Sequence, residues 1–467
     1  MMATPFASPT ERSAKSGRSI ALNNAETKTN TLVFLVMGAL VIPYSVGIYI
    51  GDLKLTPIKI LIVTLIAPAG LKLILAASRR QRSLLASDAY ALGLFTLMFL
   101  APLVVSGPRD FVSAFSQAIE FYGMYVIGRT FVFEYSSMRD LTRGLQIVTI
   151  FIVTFGILDI ILQRYPAQEL AGLIFPTSGR DLDVSDPHFH RFVLGISSLR
   201  ATSTFDHPIL FGAFCAAVMP LHLYAPMSPI RRLFLVTLCI IGCLVALSSA
   251  PLLALFVAVA IYFYDMVMHR YMWRWKLLLS SLLLFIAAFS FASDNPLSWL
   301  FRNLTLDPQT AYFRLLIWDA GLTVISANPW LGIGFNPSGN SILDYSTDSL
   351  WLAKTMIYGI PATALLFLAV VAAMIPVRGQ AVVRKNHPFL DLMCSSYSMI
   401  LATIMFISIT VTFWNAIWLF FAFCIGVRVS LKERCLLALS GIGTSEAEWR
   451  VEEGRISSSS QPSRNWK

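Results

Sequence analysis

Residues 56–82 read TPIKILIVTLIAPAGLKLILAASRRQR. After Thr56 come 22 residues with two lysines and no acid, closed by Arg79, Arg80 and Arg82. As a helix rising 1.5 Å per residue, such a run covers about 33 Å, enough for a hydrocarbon core of about 30 Å. The basic cluster marks where the chain leaves the bilayer. The same pattern recurs along the sequence, with apolar blocks beginning near Thr31, Thr56, Asp88, Ser113, Leu145, Phe205, Leu233, Pro251, Lys276, Ser349, Asp391 and Thr410. Of 467 residues, 56% are hydrophobic and 13% charged, about half the roughly 25% charged share of a soluble domain. The reading is an all-α, polytopic integral membrane protein with about twelve transmembrane helices.

Basic loops orient it. With residues 1–30 inside as a polar tail, Arg79, Arg80 and Arg82, then Arg139 and Arg143, Arg231 and Arg232, Arg270, Arg274 and Lys276, and Arg378, Arg384 and Lys385 all fall in cytoplasmic loops. Both termini are then cytoplasmic, with a transmembrane domain over residues 31–430 and a partly disordered tail over 431–467. No cleaved signal is expected. Two long loops remain outside, about 164–204 and 293–348, the latter a large extracytoplasmic loop between helices 9 and 10. The net charge of +10 is spent on topology, with no basic face interleaved with aromatics, so nucleic acid is excluded as a partner. The six cysteines show no metal-ligand spacing, and no structural disulfide is expected. No internal repeat or matched pair of broken spans suggests a transporter.

Chemistry on the far side would be built from the two long loops. In the first, Arg200 and His207 stand at a membrane entrance: the guanidinium fork suits a phosphate or a lipid headgroup, and His207 beside Pro208 suits a helix cap. In the second, Arg314 lies in an amphipathic helix (residues 311–319) whose Leu315, Ile317 and Trp318 would dip into lipid, and Gly332-Ile-Gly334 reads as a turn. Asp344, Asp348 and Lys354 follow. Asp348 sits where a helix cap is expected, with Ser346, Thr347 and Ser349 competent as well; Lys354 is an ammonium a turn and a half inside a span. Glu120, deep in an apolar block, has no local excuse. Asp181, Asp183, Asp186, His188 and His190 crowd one loop but lack the pattern of a calcium site, so no metal is assigned.

Taken together, Arg200-Ala-Thr-Ser-Thr-Phe-Asp-His-Pro208, Arg314-Leu-Leu-Ile-Trp318, Asn328-Pro-Trp-Leu-Gly-Ile-Gly334 and Asp348-Ser-Leu-Trp-Leu352 running to Tyr358-Gly-Ile-Pro361 resemble the O-antigen ligase and polymerase family. The resemblance implies a metal-independent glycosyltransferase, without cofactor, that uses an undecaprenyl-diphosphate-linked oligosaccharide at the outer face of a bacterial inner membrane. It implies Arg200 and Arg314 on the diphosphate, Asp348 as catalytic base, and Lys354, His207 and Asp344 as substrate contacts. Where ligases carry His-Asn, this chain has Asp348-Ser349, which favours a polymerase of repeat units in exopolysaccharide or O-antigen synthesis. A ligase acting on lipid A core or protein is the alternative, and a flippase for lipid-linked glycan is the alternative of another class. Membrane lipids, a chain-length regulator and a flippase are the expected partners.

Overall fold

The computed structural model describes residues 31–43, 45–50, 53–175, 186, 189–193, 196–268, 270, 271, 273–292 and 308–441. In chain order the helices are α1 (Thr31–Val41), α2 (Pro57–Ser78), α3 (Ala86–Ser106), α4 (Phe111–Phe131), α5 (Tyr135–Leu162), α6 (Pro166–Ile174), α7 (Pro208–Tyr224), α8 (Pro229–Val245), α9 (Ser249–Met268), α10 (Arg274–Ala292), α11 (Pro308–Ala327), α12 (Ser341–Tyr345), α13 (Leu350–Met374), α14 (Gln380–Asn386), α15 (Pro388–Ile407) and α16 (Asn415–Ser440). Two antiparallel hairpins join them: β1 (Ile48–Ile50) with β2 (Leu53–Leu55), and β3 (His190–Val193) with β4 (Ile196–Leu199).

Each of the twelve apolar blocks contains a helix, namely α1–α5, α7–α10, α13, α15 and α16. Seven of these (α2, α3, α5, α9, α13, α15, α16) are long and apolar enough to cross a membrane, and α1 and α7 are shorter apolar helices. The chain is an all-α polytopic membrane protein. Pro57, Pro208, Pro229 and Pro388 each stand in the first turn of a helix, where a missing N–H costs nothing and φ is already helical.

Some boundaries differ from expectation. Helix α5 starts at Tyr135, ten residues before the apolar run, so Arg139 and Arg143 lie on its first turns rather than in a loop. Its early turns bury Ser137, Asp140 and Leu141 against the bundle, and tertiary packing extends a helix that hydropathy begins late. Helix α16 runs on to Ser440 with Glu433 and Cys435 buried. The helix expected over 311–319 is the first half of α11, but Ile317 packs with Leu343, Leu352 and Met356 instead of dipping into lipid, and Arg314 is buried. Tyr312 and Phe313 are the exposed apolar groups there.

The centre of the bundle is the crossing of α4 and α16. A Cβ on Gly426 would lie 2.1 Å from the Tyr125 carbonyl oxygen, and one on Gly128 would lie 2.5 Å from that of Phe423. Such close backbone approach is how helices gain dispersion energy where lipid offers no hydrophobic drive. At the basic end of the same crossing, the Glu433 carboxylate accepts from Arg82 Nε (2.8 Å), Arg129 Nη1 (2.6 Å) and the Ser83 amide (2.5 Å). Arg129 also pairs with Asp88 at 3.0 Å. This lock ties the α2–α3 loop, α4 and α16 together, and gives Arg129 a structural role.

Candidate functional site

At the opposite end, the second long loop and the start of α13 form one unit. Ser349 is the cap of α13, its hydroxyl accepting from the Leu352 amide at 3.4 Å. Asp348 is therefore not the cap: its Oδ1 accepts from the Ser346 hydroxyl at 2.8 Å, which leaves Oδ2 turned to Arg314. Behind them the Leu350 amide donates to the carbonyls of Ser408 (3.0 Å) and Val411 (3.2 Å), and Thr412 donates to Thr347. Further down, α13 breaks at Gly359, whose φ of +84° and approach to the Trp330 carbonyl admit no side chain. The carbonyls of Met356 and Ile357, freed by the break, accept from the Ile333 and Gly334 amides at 2.7 and 3.1 Å, and the Ile360 amide donates to Pro329 at 2.8 Å. The Asn328–Gly334 turn and the Tyr358–Pro361 motif are thus two halves of one backbone clamp, and Gly332 and Gly334 are a turn as expected.

Arg314 Nε lies 3.9 Å from Asp348 Oδ2, and the same Nε has no hydrogen-bond partner. The pair is loose. The guanidinium is nearly closed off at 7% exposure, whereas the Asp348 side chain stays 37% open. Burial lowers the Arg314 pKa, Asp348 works against that, and Arg191 adds to it. Arg191 also bears on Arg200, whose pKa burial and that neighbour bring down to about 10. The hairpin explains the grouping. Arg191 pairs with Ser198 across β3–β4, and the Arg200 amide donates to the Phe189 carbonyl at 2.8 Å. Residues opposite one another, and those two apart, share a face, so Arg191 and Arg200 project from the same side. Arg200 Nε also donates to Ala246 at the end of α8 (3.2 Å). The loop that follows is held from below by Asp159 on α5, whose Oδ2 accepts from the Thr202 (2.9 Å) and Ser203 (2.7 Å) amides.

His207 caps α7, its Nδ1 accepting from the Ile209 amide at 3.2 Å, with Phe189 and Trp414 rings on either side. Asp344 is exposed and organises its own turn, accepting from the Ser338 amide (2.8 Å) and hydroxyl (2.7 Å), which hold its carboxyl below the usual range. It is engaged as a turn residue. The Lys354 ammonium sits 4.4 Å over the Trp418 ring, within electrostatic range of Glu120. Glu120 finds its excuse in Lys59 (2.9 Å) and the Ser116 hydroxyl (2.6 Å).

Lys59 and Glu120 line a small open cleft, together with Thr56, Thr204, Asp206 and Asn415 and apolar residues that include Leu40 and Ile42. Asn415 Nδ2 donates to Asp206 Oδ2 at 2.5 Å. Sequence reasoning missed Arg191, Asp159 and this cleft. An acid inside an apolar block was a usable signal for Asp159; nothing local marks Arg191. No group of three or more potential metal ligands occurs among the described residues. Of the loop acids and histidines, Asp181, Asp183 and His188 lie outside them.

The family described as O-Antigen ligase matches residues 234–367, a stretch that holds Arg314, Asp348 and Lys354. No curated protein matches the chain.

Proposed function

We propose that this chain, whose residues 234–367 match the family described as O-Antigen ligase, is a membrane enzyme that polymerises undecaprenyl-diphosphate-linked repeat units at the outer face of a bacterial inner membrane. Both termini are then cytoplasmic, and the two long loops that carry Arg191, Arg200 and Arg314 face outward. The observation that carries the reading is the loose Arg314–Asp348 pair, with Arg191 in electrostatic range of Arg314 and of Arg200.

Breaking the bond between the anomeric carbon and the diphosphate puts negative charge on the leaving group. Fixed cations aimed at that charge lower the barrier without rearranging. Arg191, Arg200 and Arg314 supply them, and the planar forks suit paired phosphate oxygens. Asp348 is the counter-ion of Arg314. A docked diphosphate takes over that partner, and Asp348 becomes available to accept the proton of the attacking hydroxyl. One carbon–oxygen bond forms to the acceptor sugar as the bond to phosphate breaks, and undecaprenyl diphosphate leaves. Ligation is the second reading, favoured by the description of the matching family; Asp348-Ser349 in place of His-Asn supports polymerisation.

The test is glycan length in cells lacking this gene, complemented with wild type, Arg314→Ala or Asp348→Ala at matched membrane abundance. Loss of long polymer while single units are still exported, rescued by wild type alone, is expected. Long polymer retained on its carrier indicates a ligase, and units trapped on the inner leaflet indicate a flippase. Full rescue by both variants removes the site.

A further inference from the structure

The cleft between α1, α2, α4, α7 and α16 differs in chemistry from the arginine cluster. Its charged lining groups are Lys59, Glu120 and Asp206, one cation against two acids. A diphosphate gains nothing from such a lining. Hydroxyl groups do, because the carboxylates of Glu120 and Asp206 accept, and the Asn415 amide and Lys59 ammonium donate. Its apolar lining includes Leu40, Ile42, Leu210 and Leu419, and Ile42 is 42% exposed. A cleft lined by both polar and apolar groups suits an amphiphile.

Three further features mark it as a built site. The Lys59–Glu120 pair sits inside apolar helices at 14% and 16% exposure, where an ion pair is costly and rarely kept for stability alone. Asn415 adopts the left-handed backbone that asparagine tolerates, φ +48°, while its side chain reaches Asp206. The cleft also adjoins the arginine cluster through the chain itself. Thr204 and Asp206 line it, four and six residues beyond Arg200, and Glu120 lies within electrostatic range of Lys354, on the helix that Asp348 precedes.

We propose that this cleft is the acceptor subsite: it holds the hydroxyl-bearing sugar of a lipid-linked glycan by Glu120, Asp206 and Asn415, while the arginines hold the donor diphosphate. The assignment rests on the polymerase reading and divides its two substrates between two chemically distinct places.

The test uses the full chain in phospholipid vesicles with Ile42→Cys, read by the rate of maleimide labelling. The unsubstituted chain, whose six cysteines are buried thiols, is the blank. The probes are the oligosaccharide released by mild acid from lipid-linked intermediates of cells lacking this gene, and inorganic pyrophosphate. The oligosaccharide is expected to slow labelling at least fivefold, saturably, and pyrophosphate to leave it unchanged. Asp206→Asn, and separately Glu120→Gln, should raise the half-protecting concentration about tenfold. Protection by pyrophosphate but not oligosaccharide makes the cleft an anion site and overturns the proposal. So does failure of both probes, or undiminished protection in both variants. Arg314→Ala should lose polymer and keep the protection. If the glycan-length test succeeds and protection fails, only the acceptor subsite falls; if glycan length is unaffected by Arg314→Ala, it is the polymerase reading that falls.

Discussion

Replacing Asp159 by alanine should damage stability and activity through one cause, the loop that carries Arg200. The Asp159 carboxylate is buried and accepts from two consecutive amides, Thr202 and Ser203, at 2.9 and 2.7 Å. Ser203 is held at φ +56°, a conformation a serine keeps only when its surroundings enforce it. Hydrogen bonds to a charged group are worth about 1.5–3 kcal/mol each, so the gross loss is about 3–6 kcal/mol. Part returns because a buried charge no longer has to be desolvated, and the expected net loss is about 2–4 kcal/mol. Asp159→Asn keeps an oxygen facing both amides, and its new NH₂ group replaces Oδ1, which has no partner now. That variant should lose less than half as much. Thermal unfolding in detergent gives the stability, and glycan length at matched abundance gives the activity. Because a displacement near 1 Å at a reacting centre costs about 100-fold in rate, Asp159→Ala should lose activity beyond what its abundance explains, with Asp159→Asn close to wild type. An alanine variant as stable and active as wild type would show that Asp159 does not position the loop.

Removing Glu433 leaves Arg82 and Arg129 without their shared acceptor, and Glu433→Ala should cost about 3–5 kcal/mol in unfolding; a loss below about 1 kcal/mol refutes the lock. Gly359→Ala places a Cβ 2.1 Å from the Trp330 carbonyl oxygen at φ +84°. It should abolish polymer and lower the membrane abundance, both visible on one immunoblot and glycan gel. Arg200→Lys keeps the charge but not the fork, and should retain only a tenth or less of the wild-type polymerisation rate. Burial and Arg191 bring Arg200 down to about 10; its cation is whole at neutral pH and is lost as pH rises through that value. Activity in vesicles should therefore be flat in this group from pH 6 to 8.5 and fall above about pH 9, and a basic limb starting near pH 7 contradicts the assignment.

Hydropathy alone located all twelve apolar blocks, because a residue's preference for lipid is a local property. Residues whose chemistry is set by immediate neighbours were legible too: His207 caps a helix as its place before Pro208 suggests, and Gly332 and Gly334 turn the chain. Asp348 against Ser349 was undecidable locally, since either side chain caps a helix and only the distance to the Leu352 amide chooses. Arg191 was invisible for a deeper reason. It becomes a neighbour of Arg200 through strand register and of Arg314 through the packing of a loop more than a hundred residues away. The late start assigned to α5 failed because the polar turns from Tyr135 are stabilised by the bundle and not by lipid.

The clamp between residues 329–334 and the break in α13 is made from main-chain groups. It therefore imposes no side-chain code except glycine at the crowded points, and it makes residues 328–361 a transplantable cassette. Moved as one piece into another bundle of this architecture, the segment should bring the break in α13 with it, whereas the position of Asp348 also needs the Ser408, Val411 and Thr412 partners that hold residues 347–350.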